Sequence, residues 1–318
     1  MPSLSLLVPV YNGAQFCEAF FANLEQLEQP FDEVLFVNDG STDETDQILR
    51  QHGATVIQLE KNGGLSNARN VLMGAHQGDF FKFQDIDDPM PLDIVPNIKA
   101  ALSENPPPRT IFFGDFDTYH FAAPPVRSQV STETLEQDPM CYFIDNFVQL
   151  NAVVYPAEIA EIPFQTDLSL YEDKAHIIAA AASGYRFAHT PNLWGIWKIR
   201  ANSTMTGRSW NDADTNLARM IETMPAPQTQ AQAQALVHYA VYKAWLACWN
   251  MGRPQNPEAI EKALVDKISG HFPRLHLTQE RWVFQALCNT LGLGTALRAK
   301  LAWAKLRPQT AKHQIQSR

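Results

Sequence analysis

Residues 85–88, with the sequence Asp-Ile-Asp-Asp, place three carboxylates together between a phenylalanine-rich run and a proline. Clustered carboxylates repel one another unless a cation offsets their charge. Hard divalent cations such as Mn²⁺ and Mg²⁺ prefer oxygen ligands, and they often join one or two carboxylates to the phosphates of a substrate. The cluster therefore indicates a Mn²⁺ or Mg²⁺ site for a phosphate-bearing substrate. The alternative is a solvated acidic turn that caps the next helix.

The elements that must position this cluster alternate between strand and helix patterns. Nearly continuous apolar runs predict strands, and segments with helical periodicity lie between them. The predicted strands are 4–10, 32–37, 54–59, 80–84 and 110–116, and the predicted helices are 15–27, 43–52, 66–76 and 91–103. This order is typical of βαβ units and a mostly parallel sheet that is covered on both faces.

Polar residues follow the predicted strands at their carboxyl ends, where ligands bind in such sheets. Residues 11–12 follow the first strand, residues 38–39 the second, and the glycine loop 62–64 the third, with Arg69 shortly after it. The glycine-rich fingerprint of dinucleotide folds and the phosphate-binding P-loop are both missing from the sequence. A metal ion that holds a diphosphate, with Arg69 as a nearby cation, fits this pattern.

Four segments in this order resemble the signature of family 2 inverting glycosyltransferases with the GT-A fold. They are Val-Pro-Val-Tyr-Asn at 8–12, Val-Asn-Asp-Gly-Ser-Thr-Asp at 37–43, Asn-Gly-Gly-Leu-Ser-Asn-Ala-Arg-Asn at 62–70 and the acidic cluster at 85–88. The resemblance is close over residues 3–118 and looser as far as 206.

The resemblance implies an α/β chain with one Rossmann-like, mostly parallel sheet flanked by helices. Residues 1–206 would form the domain that binds a nucleotide sugar and catalyses the transfer. Residues 207–318 read as a mainly α-helical region, with helices predicted at 213–221, 231–250, 257–268 and 278–289. For this region three roles stay open: covering the acceptor side, forming a homo-oligomer, or docking on a membrane.

The resemblance also implies a nucleoside diphosphate sugar as donor, with a UDP-sugar as the first candidate. Asp85 and Asp87 would be the pair that meets the metal and the diphosphate, whereas Asp88 would cap the following helix. The residues expected to contact the donor are Pro9, Tyr11, Asn12, Asp39, Asn67, Arg69, Asp85 and Arg200. Asn38 stands where the family usually carries an acidic residue, which leaves the nucleotide open.

A second acidic pair, Glu172 and Asp173, opens the predicted helix 174–182. By itself, such a pair commonly stabilises the first helical turn. The resemblance implies instead that it supplies the base that deprotonates the acceptor hydroxyl, with Asp173 preferred and Glu172 as the alternative. His176, one turn later, is expected to pack in the core, as is Trp194.

Composition restricts the partners. The chain has 318 residues and a formal net charge of −9, which disfavours nucleic acid. Residues 281–318 carry seven basic residues and no acidic one, so their helical stretch 296–307 could lie on a membrane. The alternative is an ordinary C-terminal helix. Four dispersed cysteines and a start without a signal peptide favour the cytoplasm, with contact at the inner face of the membrane if that helix docks.

The favoured function is metal-dependent, inverting transfer of a sugar to a glycan or lipid-linked acceptor in surface polysaccharide synthesis. The alternative is a non-catalytic relative that binds a nucleotide or a glycan within an assembly complex. A nucleotidyltransferase is a weaker rival, because it would need a basic glycine-rich loop after the first strand.

Overall fold

The computed structural model of the chain describes residues 1–103, 106–120, 124–147, 149–199, 212–251 and 257–268. Arg200, the predicted helix 278–289 and the basic segment 281–318 lie outside the described residues. The chain divides into two compact units, Met1–Arg208 and Ser209–Arg318. The roles assigned above to residues 1–206 and 207–318 stay predictions.

The first unit is built on one sheet. Its described strands are β1 (Leu4–Val10), β2 (Glu33–Asn38), β3 (Thr55–Gln58), β4 (Phe80–Phe83), β5 (Thr110–His120), β6 (Val126–Arg127), β7 (Val153–Pro156) and β8 (Arg186–Ile199). They lie in the order β3-β2-β1-β4-β7-β5-β6, and β8 pairs with β5. The pairs β1–β2, β1–β4, β2–β3 and β5–β8 are parallel. The sheet is therefore mixed but mostly parallel, as predicted.

Helices flank this sheet. They are α1 (Ala14–Glu25), α2 (Thr45–Gln51), α3 (Leu65–Ala75), α4 (Ile94–Leu102), α5 (Thr132–Gln137), α6 (Pro139–Asp145) and α7 (Glu172–Ala182). Every residue of β1 is buried, which requires cover on both faces of the sheet. One core cluster joins β1 and β2 to α1 and α4 through Leu6, Val8, Phe20, Phe36 and Ile98.

β7 runs antiparallel to both β4 and β5, and the sequence patterns did not predict it. Because β7 reverses direction between them, β4 and β5 point the same way. The carboxyl ends of β1, β2, β4 and β5 therefore share one edge of the sheet, and the candidate site lies there.

The described part of the second unit is helical. It consists of α8 (Ala213–Thr223), α9 (Gln230–Met251) and α10 (Pro257–Ile268). Lys267 donates from Nζ to the carbonyl oxygens of Glu222 (2.9 Å) and Met224 (2.7 Å), which fastens α10 to the end of α8. None of the helices described in either unit has the length and apolar character needed to cross a bilayer.

Candidate active site

The loops after β1 and β2 are tied together at the sheet edge. Asn12 adopts a left-handed backbone conformation (φ 50°), which aims its side chain at the loop after β2. Its Oδ1 accepts a hydrogen bond from the backbone N–H of Thr42 at 2.8 Å, and its own N–H donates to Ser41 Oγ at 2.9 Å. Tyr11 beside it is 49% exposed, whereas Pro9 is buried within β1.

Asp39 organises the glycine loop. Its buried carboxylate accepts from the backbone N–H groups of Gly63 (2.8 Å) and Gly64 (2.9 Å). The Asn67 side chain packs on the same loop, since a Cβ on Gly63 would lie 2.5 Å from its Nδ2. A carboxylate offers about four lone-pair sites, so Asp39 keeps acceptor capacity for a base. Its contact with a donor base stays a prediction.

The acidic loop 85–88 follows β4. One carboxylate oxygen from each of Asp85, Asp87 and Asp88 lies within 4.8 Å of the others, so the donor set suits a hard divalent cation. Asp88 is buried, and its Oδ1 accepts from the backbone N–H of Lys198 at 2.9 Å. The expectation that Asp88 caps the next helix is wrong, because α4 begins at Ile94 with Asp93 in the N-cap position.

Two buried polar side chains lie beneath this loop. Lys82 Nζ donates to Gln84 Oε1 at 2.8 Å, and Gln84 Nε2 donates to the carbonyl oxygens of Asp88 (2.9 Å) and Asp85 (3.3 Å). Burial lowers the pKa of Lys82 to about 7, while the charges of Asp85 and Asp88 act in the opposite direction. Sequence reasoning missed this pair; its signal was two long polar residues in an otherwise apolar strand.

Arg69 connects the two predicted acidic groups. It is buried, and its Nη1 donates to Glu172 Oε1 at 3.0 Å, while Nη2 lies 3.9 Å from Asp85 Oδ1. The guanidinium also lies over the rings of Phe83 and Phe164, with Cζ 5.8 and 5.4 Å from the ring centroids. One cation thus joins the loop after β4 to the start of α7. Its contact with donor phosphates stays a prediction.

The acidic pair occupies the first turn of α7. Tyr171, directly before it, has a left-handed backbone (φ 66°, ψ 12°), which is uncommon for an aromatic residue. Burial raises the pKa of Glu172, the neighbouring charge of Asp173 raises it further, and Arg69 opposes both. Asp173 Oδ1 accepts from the backbone N–H of Lys174 at 2.7 Å, which fixes the orientation of the carboxylate.

Asp173 lines a cavity whose other wall is largely apolar. The lining residues are Phe143, Asn146, Phe147, Leu150, Val153, Asp173, Lys174 and Ile177. Lys174 Nζ donates to the carbonyl oxygens of Phe143 (2.7 Å), Ile144 (2.9 Å) and Asn146 (3.0 Å), and so fastens the end of α6 to α7. The ring of Phe147 is 49% exposed and lies 5.8 Å from that of Trp197.

Two predictions about packing are confirmed. Trp194 is fully buried in the core. His176 is buried as well, and its ring stacks on Phe164 at 4.0 Å between centroids. Burial lowers the pKa of His176 to about 3, so it is neutral at physiological pH and packs in the core, as expected.

Comparison with known proteins finds a family and relatives that this sequence resembles. The sequence model of glycosyl transferase family 2 matches residues 5–188. An uncharacterized glycosyltransferase of Rickettsia prowazekii, RP339, is 38% identical over 89 residues, which is 27% of this chain and 28% of the relative. Poly(ribitol-phosphate) beta-N-acetylglucosaminyltransferase TarS of Staphylococcus aureus is 32% identical over 112 residues, 33% of this chain and 20% of that protein. The chain spans less than a third of the length of these relatives.

Solved structures extend the likeness to the whole fold. TarS 1-349 of S. aureus in complex with UDP-GlcNAc has a TM-score of 0.66 at 19% identity, covering 95% of this chain and 89% of its own. The mannosyltransferase PcManGT from Pyrobaculum calidifontis, in complex with GDP-Man and Mn²⁺, has a TM-score of 0.52 at 18% identity, covering 96% and 87%. These likenesses confirm the predicted GT-A fold.

Proposed function

The chain belongs to glycosyl transferase family 2, and from this membership we propose an inverting transfer of a sugar from a nucleoside diphosphate sugar to a hydroxyl group of a glycan or lipid-linked acceptor. The observation that carries the proposal is the position of Arg69 between Asp85 and Glu172. The carboxylate expected to serve the donor and the acidic pair expected to serve the acceptor are one guanidinium apart. A transfer reaction needs both groups at one site.

On the donor side, Asp85 and Asp87 would hold Mn²⁺ or Mg²⁺. A bound divalent ion stabilises the negative charge of the departing diphosphate as a Lewis acid. The complexes of TarS with UDP-GlcNAc and of PcManGT with GDP-Man and Mn²⁺ support a nucleotide sugar as the substrate of this chain. Of the two, the TarS complex supports a UDP-sugar as the first candidate.

The loops after β1, β2 and β3 would hold the nucleotide. Tyr11 is exposed for ring contact, Asn12 and Asp39 hold these loops against one another, and Asn67 packs on the glycine loop. Pro9 is buried, so it would support the pocket from within β1. Arg200 remains the proposed partner of the diphosphate from the segment that follows β8.

On the acceptor side, Asp173 is the better base. The side chain of Glu172 is 13% exposed and bound to Arg69 at 3.0 Å, whereas Asp173 lines the cavity beside Phe147. The Asp173 carboxylate would take the proton of the acceptor hydroxyl as its oxygen bonds to the anomeric carbon. The bond between that carbon and the diphosphate oxygen breaks on the opposite face, which inverts the configuration.

The acceptor itself would approach Asp173 from the side of Phe147, whose ring is 49% exposed. TarS, named for transfer to poly(ribitol-phosphate), supports a place in surface polysaccharide synthesis. We keep the cytoplasm as the proposed location, with segment 281–318 touching an anionic membrane. The non-catalytic alternative is disfavoured, because both acidic pairs are present and held in place by the contacts described above.

A donor screen tests the proposal. The enzyme is incubated with Mn²⁺ and each of a set of UDP- and GDP-sugars, and the released nucleoside diphosphate is measured. We expect slow hydrolysis of one donor that requires the divalent ion and is lost in the Asp85→Asn/Asp87→Asn variant. If no donor is hydrolysed, and no nucleoside diphosphate with Mn²⁺ raises the Tm, the proposed function is wrong.

A further inference from the structure

We propose that Lys82 and Gln84 form a positioning pair that holds the acidic loop 85–88 in the arrangement that binds a divalent cation. This inference rests on the proposed metal site. Neither side chain is expected to touch the metal or the donor, so the pair would act only through the loop that it supports.

The position of the pair calls for a specific reason. Lys82 is 0% exposed and Gln84 is 1% exposed. Lys82 lies in β4, and Gln84 directly follows its last residue. β4 lies between β1 and β7, where a strand covered on both faces normally carries apolar side chains. Burying a lysine and an amide there is costly unless their hydrogen bonds are satisfied. The role of the pair therefore follows from the hydrogen bonds that the two side chains make.

The lysine and the loop carbonyls fix which way the amide faces. Gln84 turns Oε1 toward Lys82 Nζ, which donates to it at 2.8 Å, because the loop carbonyls on the other side accept hydrogen bonds and donate none. The Nε2 group then faces the acidic loop with both of its donors. If the amide turned over, its oxygen would face the carbonyl oxygens of Asp85 and Asp88, and the repulsion would loosen the loop.

The amide in turn closes the loop. Gln84 Nε2 donates to the carbonyl oxygens of Asp85 (3.3 Å) and Asp88 (2.9 Å), so it bridges the two ends of the four-residue segment. The N–H of Asp88 also donates to the carbonyl oxygen of Asp85 at 3.2 Å, which closes a turn. The backbone N–H of Lys198 in β8 also donates to the Asp88 carboxylate. The backbone that carries Asp85 and Asp87 is thus held from two directions.

Groups that hold metal ligands in place contribute to affinity without touching the ion, and their loss typically weakens metal binding about 10–100-fold. We therefore expect the pair to matter for the affinity of the site more than for the stability of the fold. Replacing Lys82 and Gln84 together removes both partners of their mutual hydrogen bond, which is often nearly neutral for stability, and leaves the Asp88 carbonyl without the Gln84 donor.

The double variant Lys82→Met/Gln84→Leu separates positioning from plain electrostatics. Removing the positive charge of Lys82 would by itself tighten the binding of a cation, whereas loss of the amide bridge loosens the loop and weakens it. We expect a Tm close to that of the wild type and a Kd for Mn²⁺ about 10-fold weaker, measured by the electron paramagnetic resonance of free Mn²⁺. An unchanged or tighter Kd overturns the proposal.

Gln84→Glu is the second variant, in case the double variant does not fold. The glutamate keeps the shape and the contact with Lys82, but it sets a carboxylate oxygen against the two loop carbonyls. Its added negative charge would favour Mn²⁺, so a weaker Kd again indicates lost positioning. Lys99→Met is the matched control. It removes a lysine of α4 whose Nζ lies 3.0 Å from Asp32 Oδ1, and it leaves the contacts of Lys82 and Gln84 unchanged. Its Mn²⁺ affinity should equal that of the wild type.

The experiments distinguish an error in the proposed metal site from an error in the proposed role of Lys82 and Gln84. If wild-type enzyme does not bind Mn²⁺, or if Asp85→Asn/Asp87→Asn binds it equally well, the metal site itself is wrong. Hydrogen exchange without metal then still tests the pair. We expect the amide of Asp88 to exchange faster in Lys82→Met/Gln84→Leu than in wild type or Lys99→Met. Equal exchange rates would overturn the proposed positioning.

Discussion

At the scale of single residues, the site depends on which carboxylate is engaged and which is available. The side chain of Glu172 is 13% exposed and bound by Arg69, so we propose a structural role for it rather than proton transfer. Asp173, one residue later, is oriented by the backbone N–H of Lys174 and lines the cavity. We therefore expect these adjacent acids at the start of one helix to have separate roles.

Asp173→Asn removes the proposed base with almost no change of shape. We expect kcat to fall about 10²–10⁴-fold, the usual contribution of a general base, while the Kd for UDP with Mn²⁺ stays that of the wild type. Turnover and UDP affinity are measured on the same preparation. Asp167→Asn, the same change at an exposed carboxylate before α7, should keep wild-type turnover. If Asp173→Asn turns over like the control, Asp173 has no part in the mechanism.

Arg69→Met tests the buried ion pair. Removing one partner of a buried pair leaves the other charge uncompensated, and the free energy of unfolding should fall by about 3 kcal/mol. Adding Glu172→Gln removes the stranded charge, so Arg69→Met/Glu172→Gln should recover part of the loss. Urea denaturation measures both variants. Equal stability of Arg69→Met and the wild type would contradict the assignment of the pair.

At the scale of elements, the loop after β2 packs closely against the start of the glycine loop, and this contact requires a glycine at position 40. Gly40 has a φ of +68°, and a Cβ there would lie 2.5 Å from the backbone carbon of Lys61. Gly53 has the same φ of +68°, but no atom lies within 4 Å of its Cβ position. A side chain at either position has the same unfavourable backbone energy. The two positions differ only in the free space around the Cβ atom.

Gly40→Ala should therefore destabilise more than Gly53→Ala. A left-handed alanine costs about 1–2 kcal/mol, and overpacking adds about 1–3 kcal/mol at Gly40 only. Because the glycine loop must shift to make room, Gly40→Ala should also weaken UDP binding. Denaturation and UDP titration compare the two variants, and equal effects at both positions would show that the close packing at Gly40 is unimportant.

The predicted and observed elements differ for a physical reason. β1, β2, β4 and β5 were predicted from the sequence because continuous apolar runs and short polar loops mark strands covered on both faces. The edge strand β3 was predicted as well, although none of its residues is buried. β7 has only the four residues Val153–Pro156, and its place between β4 and β5 depends on pairing between distant segments. β8 carries polar residues, and its register with β5 shifts beside Gly114, so no simple period marks it.

The site residues also divide into those that the sequence predicted and those that it did not. Asp85, Asp87 and Arg69 stand in motifs that local sequence displays, and the structure brings Asp85 and Arg69 close together. Lys82 and Gln84 stand in no motif, because their role depends on the complete burial of both side chains, which sequence spacing does not show. The helix-capping role predicted for Asp88 was wrong for a related reason, since its partner, Lys198, is distant in sequence.

At the scale of the whole molecule, the family match ends at residue 188, within the first compact unit. The helices α8 to α10 of the second unit therefore have no role that the family match assigns. Covering the acceptor side, self-association and membrane docking stay predictions for this part.

The stability of the fold should depend on pH through His176. Its pKa is about 3 in the folded chain and about 6.5 when unfolded. Below pH 6.5 the unfolded chain binds more protons, so stability falls with the pH, by about 2 kcal/mol from this group between pH 7 and pH 5. Calorimetry should show that His176→Phe has a smaller drop in Tm between pH 7 and pH 5 than the wild type. An equal drop would contradict this account.

The guanidinium shared by Asp85 and Glu172 has a thermodynamic consequence for the order of events. A change on one side of Arg69 alters the charge felt on the other, and such coupling is reciprocal by linkage. Glu172→Gln removes the negative charge that partly offsets Arg69, so the positive charge near Asp85 is greater. We therefore expect a Kd for Mn²⁺ several-fold weaker than in the wild type. By the same linkage, an acceptor that draws Glu172 away from Arg69 would loosen the metal, and departure of the nucleotide would be easier after the acceptor has bound.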